Sequence, residues 1–277
     1  YGNKVIKFSD KSIIKKIISK EKFNQNLMLD KNNFINSKYN GVSINTKTIK
    51  KNNLFFAIKG KTNDGHNFAK EAIRKGAAKL VVSKLIKKIP PKKIIKVKNT
   101  FFALNNLAKD RRNSTNARII GITGSVGKTT LKNLISFSLK NYGQVYQSPY
   151  SYNNKFGVPL SLSNLKNNTE YGVLEIGMDK KGEIDNLSKI VKPEIGIITN
   201  IAEAHFKNFN TLKDIAKAKS EIINNILEEG SIVLNKDDKF FTFLSNIAKK
   251  RKLNIISFSS KKRADVFLLK KNKIKNN

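Results

Sequence analysis

The sequence predicts an α/β protein with two domains: a small N-terminal domain over residues 1–100 and a larger one over residues 101–277, built on a mostly parallel sheet. Three observations lead to this fold class. Short apolar runs with the character of buried strands alternate with helical segments. A glycine-rich loop lies between a buried strand and a helix. The length of 277 residues also suits two domains, at about one to two hundred residues each.

The first domain is predicted from short apolar runs separated by turns. The run at 54–58 is continuous enough to be a buried strand, and Gly76 is a plausible end for the helix before it. The predicted elements, in order, are an exposed helix over 13–27, strands over 41–44 and 54–58, a turn over 60–65, a helix over 68–75, and strands over 80–82 and within 86–98.

The second domain is predicted from strands that alternate with helices. Alternation of this kind favours a parallel sheet with helices on both faces. The predicted elements are helices over 102–112, 128–140, 184–191 and 214–227, and strands over 118–122, 171–176, 195–200, 231–235 and 266–269.

The net charge of +35 comes from 55 basic and 20 acidic residues and suggests a polyanionic partner. Only six of the basic residues are arginine, however, and the lysines are scattered among asparagines and isoleucines. A surface built for bidentate phosphate or guanine contacts usually favours arginine. We therefore interpret the charge as a solvated coat of lysines that reflects an A/T-rich coding sequence, and we prefer this interpretation to a nucleic-acid function.

The composition also bounds the chemistry. The chain has no cysteine, which excludes disulfides, thiolate metal sites and cysteine nucleophiles. No apolar run approaches the length of a membrane span, and residues 1–10 lack the apolar stretch of a signal peptide. These features lead us to expect a soluble, intracellular protein.

The glycine-rich loop has the composition of a phosphate-binding loop. Its glycines allow backbone N–H groups to surround phosphate oxygens, and the following helix adds its N-terminal dipole. Lys128 can reach the β- and γ-phosphates, and Thr129 can ligate Mg²⁺. The loop is a variant, because the first glycine of the strict pattern falls on Ile122. The predicted nucleotide-binding residues are Gly124, Ser125, Val126, Gly127, Lys128, Thr129 and Thr130.

Two further residues are candidates for a metal site. Glu175 lies inside an apolar strand, where a carboxylate is costly unless it meets a cation or hydrogen-bond donors. His205 is one of two histidines and follows a predicted strand. Lys217 and Lys219 begin a helical segment, and their spacing alone predicts surface residues.

Together these motifs resemble the Mur ligase family, the ATP-dependent amide-forming enzymes of peptidoglycan precursor synthesis. The resemblance covers about residues 41–240, and within the family it points to the branch that joins D-Ala-D-Ala to UDP-MurNAc-tripeptide. It rests on the loop 121–130, on the runs 153–160, 175–184, 199–205 and 216–222, and on the N-terminal segments 41–43, 54–60 and 64–68.

The resemblance implies a role for each matching residue. Lys128 would hold ATP phosphates, while Thr129, Glu175 and His205 would bind Mg²⁺. Lys219 matches a lysine that is carbamylated in relatives and then bridges a second Mg²⁺, which reverses the surface interpretation. The catalytic set is thus Lys128, Glu175, His205 and Lys219. The implied contacts with the nucleotide also include Asn153, Asn154, Asn235 and Asp238, and those with the UDP substrate are Ser43, Asn45, Thr46, Asp64 and His66.

The resemblance also implies a reaction with ATP and Mg²⁺ as cofactors. The tripeptide carboxylate attacks the γ-phosphate, and the amine of D-Ala-D-Ala then attacks the resulting acyl phosphate. The implied setting is cell-wall biogenesis, with effects on cell shape and division. The protein would be a cytoplasmic monomer with no specific nucleic-acid partner and no membrane span.

This chain departs from the family pattern in two ways. Asn45 and Lys47 stand where family members have Asp and Arg, so the bidentate fork of arginine is lost. The family also has a third, C-terminal domain that closes over ATP. We expect this chain to lack that domain and to end inside an incomplete central domain, so that its activity by itself is an open question.

Other interpretations stay open. A ligase of the same family could add a diamino acid instead of D-Ala-D-Ala. Folate-polyglutamate ligases share the loop, but the Asp64-Gly65-His66 segment is not expected in them. A basic P-loop ATPase acting on nucleic acid would account for the charge. A degenerate, non-catalytic homologue is disfavoured by five intact residues: Lys128, Thr129, Glu175, His205 and Lys219.

Overall fold

The structure, a computed structural model, describes residues 39–60, 62–203 and 208–269. The chain divides into two compact units, Tyr1–Leu107 and Ala108–Asn277. The boundary predicted after residue 100 falls at the start of a helix, and the division between the units falls within that helix. The helix predicted over 13–27 lies outside the described residues, as does His205.

The first unit contains a four-stranded parallel sheet in the order β1-β2-β3-β4. Strand β2 is fully buried, as its apolar run predicts. The helix predicted over 68–75 is a 3₁₀ turn, Gly65–Phe68, followed by α1, which ends before Gly76 with φ +93°. The elements are β1 Gly41–Ser43, β2 Asn53–Phe56, α1 Ala69–Arg74, β3 Lys79–Val82 and β4 Ile94–Lys96.

The second unit is built on a seven-stranded sheet in the order β11-β10-β9-β8-β5-β7-β6, and every pair is parallel. The predicted parallel α/β architecture is confirmed. The strands are β5 Arg118–Thr123, β6 Val145–Gln147, β7 Tyr171–Glu175, β8 Ile195–Ile198, β9 Ser231–Asn235, β10 Asn254–Ser259 and β11 Val266–Phe267. Helix α2, Thr100–Ser114, spans the division between the units, and the other helices are α3 Lys128–Leu139, α4 Gly157–Ser163, α5 Glu183–Val191, α6 Leu212–Ser220 and α7 Phe241–Lys250.

Several elements differ from the prediction. Strands β6 and β10 and helices α4 and α7 were not predicted, and all seven residues of α4 are buried, so it has no amphipathic period to detect. The helix predicted over 214–227 is wrong in its second half, because α6 ends at Ser220 and a 3₁₀ helix, Glu221–Asn225, follows. Strand β11 has two exposed residues rather than the four predicted.

The strand order brings the carboxyl ends of β5, β7 and β8 side by side. Strand β5 lies between β7 and β8, and the chain crosses from one side of β5 to the other between them. In open parallel sheets such a switch point leaves a crevice at the carboxyl ends of the strands, where ligands bind.

A buried arginine on α2 contacts the segment that lies beside the amino-terminal end of β5. The Arg112 guanidinium donates hydrogen bonds to the carbonyls of Val191 and Lys192, at 2.7 and 2.6 Å, and to Glu194 at 2.7 Å. The other oxygen of Glu194 accepts from the Ile119 N–H at 2.6 Å. Arg112 therefore satisfies the carbonyls at the end of α5, and Glu194, which it holds, fixes the start of β5.

We expect Arg112→Met to lower the free energy of unfolding by about 3 kcal/mol, because Glu194 and two carbonyls lose their donor. Urea denaturation followed by circular dichroism measures the change. Arg118→Met is the control, since Arg118 is exposed at the start of β5 and its loss is expected to cost less than about 0.5 kcal/mol. Equal losses for the two variants would show that the Arg112 contacts contribute little.

Candidate nucleotide site

The glycine-rich loop connects β5 to α3, as predicted. Gly124 and Gly127 have φ values of +145° and +84°, conformations that favour glycine. Helix α3 begins at Lys128, and no side chain among the described residues caps its N-terminus. A Cβ added at Gly127 would meet no atom of residues 39–60, 62–203 or 208–269 within 4 Å, so space lies open beside the loop. Free N–H groups and the positive end of the helix dipole therefore face a space that an anion can occupy.

The loop is held by the segment that follows β8. The N–H groups of Ser125 and Val126 donate to the main-chain and side-chain oxygens of Asn200, both at 3.0 Å. The Thr199 hydroxyl donates to the Val126 carbonyl at 2.7 Å. The Ser125 hydroxyl donates to the Ala202 carbonyl at 2.8 Å and accepts from its N–H at 3.0 Å. The shape of the loop thus depends on β8 as well as on its own glycines.

Glu175 ends β7 with a carboxylate that is only 1% exposed. One oxygen accepts from the Thr129 hydroxyl at 2.8 Å, and the other accepts from the Asn153 amide at 2.7 Å. The Lys132 ammonium lies 3.7 Å from Glu175. The donors and the cation that a buried carboxylate needs are therefore present, as the sequence predicts.

Two lysines, Lys128 and Lys132, interact with this single carboxylate, and a third, Lys219, interacts with Lys128. The Lys128 ammonium folds back onto the loop and donates to the carbonyls of Gly124 and Ser125, at 2.8 and 3.2 Å. Burial lowers the pKa of Lys128 and Lys132, and the charge of Glu175 partly opposes the shift. Burial and the neighbouring Lys128 charge lower the pKa of Lys219 to about 7. The excess of cations makes the site suitable for an anion.

The surface interpretation is correct for Lys217 and wrong for Lys219. Lys217 is 50% exposed, whereas Lys219 is 2% exposed, and its ammonium makes no hydrogen bond or ion pair within the part of the chain that the structure describes. Lys219 lies four residues after the buried Ile215 and three before the buried Ile222. This helical spacing is the signal that could have placed Lys219 on the inner face of α6.

Three other residues that were predicted to contact the nucleotide form hydrogen bonds within the protein itself. The Asn154 side chain accepts from the N–H groups of Phe156 and Gly157, at 3.0 Å each, at the start of α4. Asp238 accepts from the Ile201 N–H at 2.7 Å, and it also accepts from the N–H of Phe240. Asn235 makes a local turn contact with Asp237. Contact of these residues with a nucleotide stays a prediction.

The residues predicted to contact the UDP substrate lie in the first unit. The Ser43 hydroxyl and Asn45 form a local turn, and Lys75 donates to the Thr46 carbonyl. Asp64 and His66 pair at 2.5 Å, and the other ring nitrogen of His66 accepts from the Ser83 N–H at 2.9 Å. The Lys84 ammonium bonds to Asp64 and holds the pKa of that carboxyl well below its usual range.

The oxygen donors present suit Mg²⁺ held together with a nucleotide. Within residues 39–60, 62–203 and 208–269, no three His, Cys, Asp or Glu side chains come together as a metal cluster. The Thr129 hydroxyl and Glu175 carboxylate do lie side by side next to the open loop. Mg²⁺ is commonly held by one or two protein oxygens together with substrate phosphates and water. The site therefore fits a metal–nucleotide complex.

None of the helices in the described part of the chain combines the length and hydropathy that a bilayer span requires.

The fold and the loop together define a P-loop α/β protein. The profile of the Mur ligase middle domain matches residues 122–277, and that of the Mur ligase family catalytic domain matches residues 38–121. The chain belongs to the Mur ligase family. The predicted family and fold are thereby confirmed.

Curated relatives in this family carry the name UDP-N-acetylmuramoyl-tripeptide–D-alanyl-D-alanine ligase, or MurF. The relative from Rickettsia prowazekii is 39% identical over 234 residues, which cover 83% of this chain and 52% of that protein. The relative from Bacillus subtilis is 38% identical over 199 residues, covering 72% and 44%. The chain thus spans about half the length of the curated relatives it matches.

Solved structures agree with the sequence matches. MurF from Acinetobacter baumannii is 32% identical with a TM-score of 0.71, and the match covers 82% of this chain and 49% of that one. MurF from Thermotoga maritima, solved in complex with ADP, is 30% identical with a TM-score of 0.68, covering 80% and 51%.

We expect Gly124→Ala to destabilise the protein by about 2 kcal/mol more than Gly127→Ala. Both glycines have positive φ, but a Cβ at position 124 would lie 1.8 Å from the Thr199 hydroxyl, whereas position 127 is open. Chemical denaturation of the two variants measures the difference. A similar loss for both would mean that the loop and Thr199 can separate at little cost.

The lowered pKa of Lys219 predicts a dependence of stability on pH. Between about pH 7 and the ordinary lysine pKa of 10.5, the unfolded chain keeps a proton that the folded chain has lost. The free energy of unfolding therefore rises with pH across this window. Lys219→Met removes that contribution, so its melting temperature should exceed that of the parent most at pH 6, with the difference shrinking by pH 9.

Melting curves in carbonate-free buffer provide the measurement. Lys217→Met is the matched control, because Lys217 is on the same helix but half-exposed. Its difference from the parent should not change with pH. A constant difference for Lys219→Met as well would contradict the lowered pKa.

Proposed function

We propose that this chain provides the nucleotide- and UDP-substrate-binding parts of a ligase that joins D-Ala-D-Ala to UDP-MurNAc-tripeptide with ATP. The observation that carries the proposal is the Thr129–Glu175 oxygen pair beside Lys128, at the switch point of the sheet. Support for the specific reaction comes from the names of relatives that are 38–39% identical. We infer that the protein is a monomer. We also infer that it acts in the cytoplasm, the compartment in which ATP and nucleotide-linked precursors are available.

ATP binding would use the open loop and the cations around it. The Lys128 ammonium now donates to two loop carbonyls, and it could exchange them for phosphate oxygens with a small rotation of its side chain. Its half-buried position strengthens that interaction, because water screens it poorly. Phosphoryl transfer needs positioning and charge stabilisation more than a nucleophilic side chain.

Thr129 and Glu175 would hold Mg²⁺, with His205 as a further ligand carried over from the family. When bound, the metal supplies Lewis-acid stabilisation of the transferring phosphoryl group. Asn153 keeps the second oxygen of Glu175 in place through its amide, so the carboxylate is oriented before any ligand arrives. Asn154, Asn235 and Asp238 would act through the segments that they hold.

Lys219 would be carbamylated in this mechanism. A pKa of about 7 leaves a substantial fraction as the neutral amine at neutral pH, and that amine has no partner among the described residues. Its nitrogen can attack the carbon of CO₂, form an N–C bond and release one proton to solvent. The product is a carbamate anion, which can ligate a second Mg²⁺ and relieves the repulsion between Lys219 and Lys128.

The first unit would bind the uridine nucleotide through the turn at Ser43, Asn45 and Thr46. Lys47 is exposed next to this turn and supplies positive charge for the pyrophosphate. Asp64 and His66 use their polar atoms on each other, on Ser83 and on Lys84, so we assign them to holding the binding segment rather than to a direct contact.

ADP release tests the proposal directly. The assay contains Mg²⁺-ATP, UDP-MurNAc-tripeptide and D-Ala-D-Ala, and each substrate is omitted in turn. We expect release to require both acceptors and to fall by at least about 100-fold in Lys128→Ala, because the charge on the phosphoryl group loses its main cation. Lys217→Ala, which removes an exposed cation from α6, should retain activity.

A parallel measurement of ATP binding separates two kinds of negative result. ATP binding without release would mean that the chain holds the nucleotide site but not the complete ligase. Replacement of D-Ala-D-Ala by a diamino acid, with the UDP-dipeptide as acceptor, tests the related synthetase activity. Stimulation of ADP release by DNA or RNA, falling steeply with salt, would overturn the ligase proposal.

A further inference from the structure

Lys132 is a buried lysine that is absent from the residue set predicted for the site. It lies on α3, four residues after Lys128 and three after Thr129, so all three side chains share one face of the helix. Only 1% of its side chain is exposed, although lysine is rarely buried without a partner. Such a position is costly and calls for a specific compensation.

The compensation comes from two groups on separate segments. The ammonium donates a hydrogen bond to the carbonyl of Tyr150 and lies 3.7 Å from the Glu175 carboxylate. Tyr150 has a φ of +46°, an unusual value for a tyrosine, and its side chain is 77% exposed. The bond from Lys132 ties this backbone conformation to α3, in addition to the turn bond from the Tyr152 N–H to the Pro149 carbonyl at 3.1 Å.

The same segment reaches the phosphate loop. The Ser151 hydroxyl lies 3.4 Å from that of Thr129, and Asn153 donates to Glu175. The Ser148 hydroxyl accepts from the Glu175 N–H at 3.2 Å. A shift of Tyr150 would therefore move groups that contact both Thr129 and Glu175.

We propose that Lys132 is a positioning residue that fixes the Glu175 carboxylate and the 148–153 segment against Thr129. Its ammonium is too deeply buried to touch a nucleotide, so it acts through these groups. The consequence for metal and nucleotide rests on the proposed function, whereas the coupling between Lys132 and Glu175 does not.

A double-mutant cycle tests the coupling. Lys132→Met leaves a buried carboxylate without its ion-pair partner, and Glu175→Gln leaves a buried cation without its carboxylate. Each is expected to lower the melting temperature by about 6–20 °C. The double variant should recover about half or more of the summed loss. Additive losses, or a double variant that also fails to fold, would overturn the proposal. Lys109→Met, at an exposed position of α2, is the control for the substitution itself.

The second readout is binding of a non-hydrolysable ATP analogue, measured by calorimetry with EDTA and with Mg²⁺. In Lys132→Met we expect unchanged affinity in EDTA and an about 10- to 100-fold loss of the tightening that Mg²⁺ produces. If Mg²⁺ tightens nucleotide binding in Lys132→Met as much as in the parent, or more, then Lys132 does not position the metal ligand. That result would overturn the proposed role of Lys132 in metal binding. If the parent protein shows no Mg²⁺-dependent binding, the proposed function fails, and the cycle alone decides the role of Lys132.

Discussion

Burial of the Glu175 carboxylate at the end of β7 is the constraint on which the site depends. A carboxylate that is 1% exposed must be matched by donors or cations, and here they come from α3 and from the segment before α4. The match requires Thr129 and Asn153 to converge on one point. Because the cost of an unmatched charge is large, satisfying Glu175 also fixes the start of the phosphate-loop helix.

The parallel sheet makes that convergence possible. Strands β5, β7 and β8 are neighbours, so the segments that follow them begin side by side although they are far apart in sequence. The loop after β5 is bonded to Thr199 and Asn200 after β8, and its helix is bonded to Glu175 at the end of β7. A single strand order therefore supplies both the open anion-binding loop and the oxygen pair beside it.

The sequence predicted the parts of this arrangement that have local signals. Strand, glycine loop and helix are contiguous, so Lys128 and Thr129 could be placed, and Glu175 stood out as a charge in an apolar strand. The burial of Lys132 and the internal role of Asp238 depend on long-range contacts, to Tyr150 and Ile201, that no short window contains. Helix α4 was not predicted for a related reason. All of its residues are buried, so it has no polar face and its sequence shows no helical hydrophobic periodicity.

The same distinction between exposed and buried side chains bears on the interpretation of the net charge. A charge of +35 suggests a polyanion partner only if the cations act together. Exposed lysines are screened by salt within about 8 Å, so a scattered coat produces little directed field. Lys132 and Lys219 are almost fully withdrawn from water, and their interactions with Glu175 and Lys128 are correspondingly strong. The chemistry proposed for the site thus rests on the nearly fully buried Lys132 and Lys219 and on the half-buried Lys128, rather than on the exposed lysines.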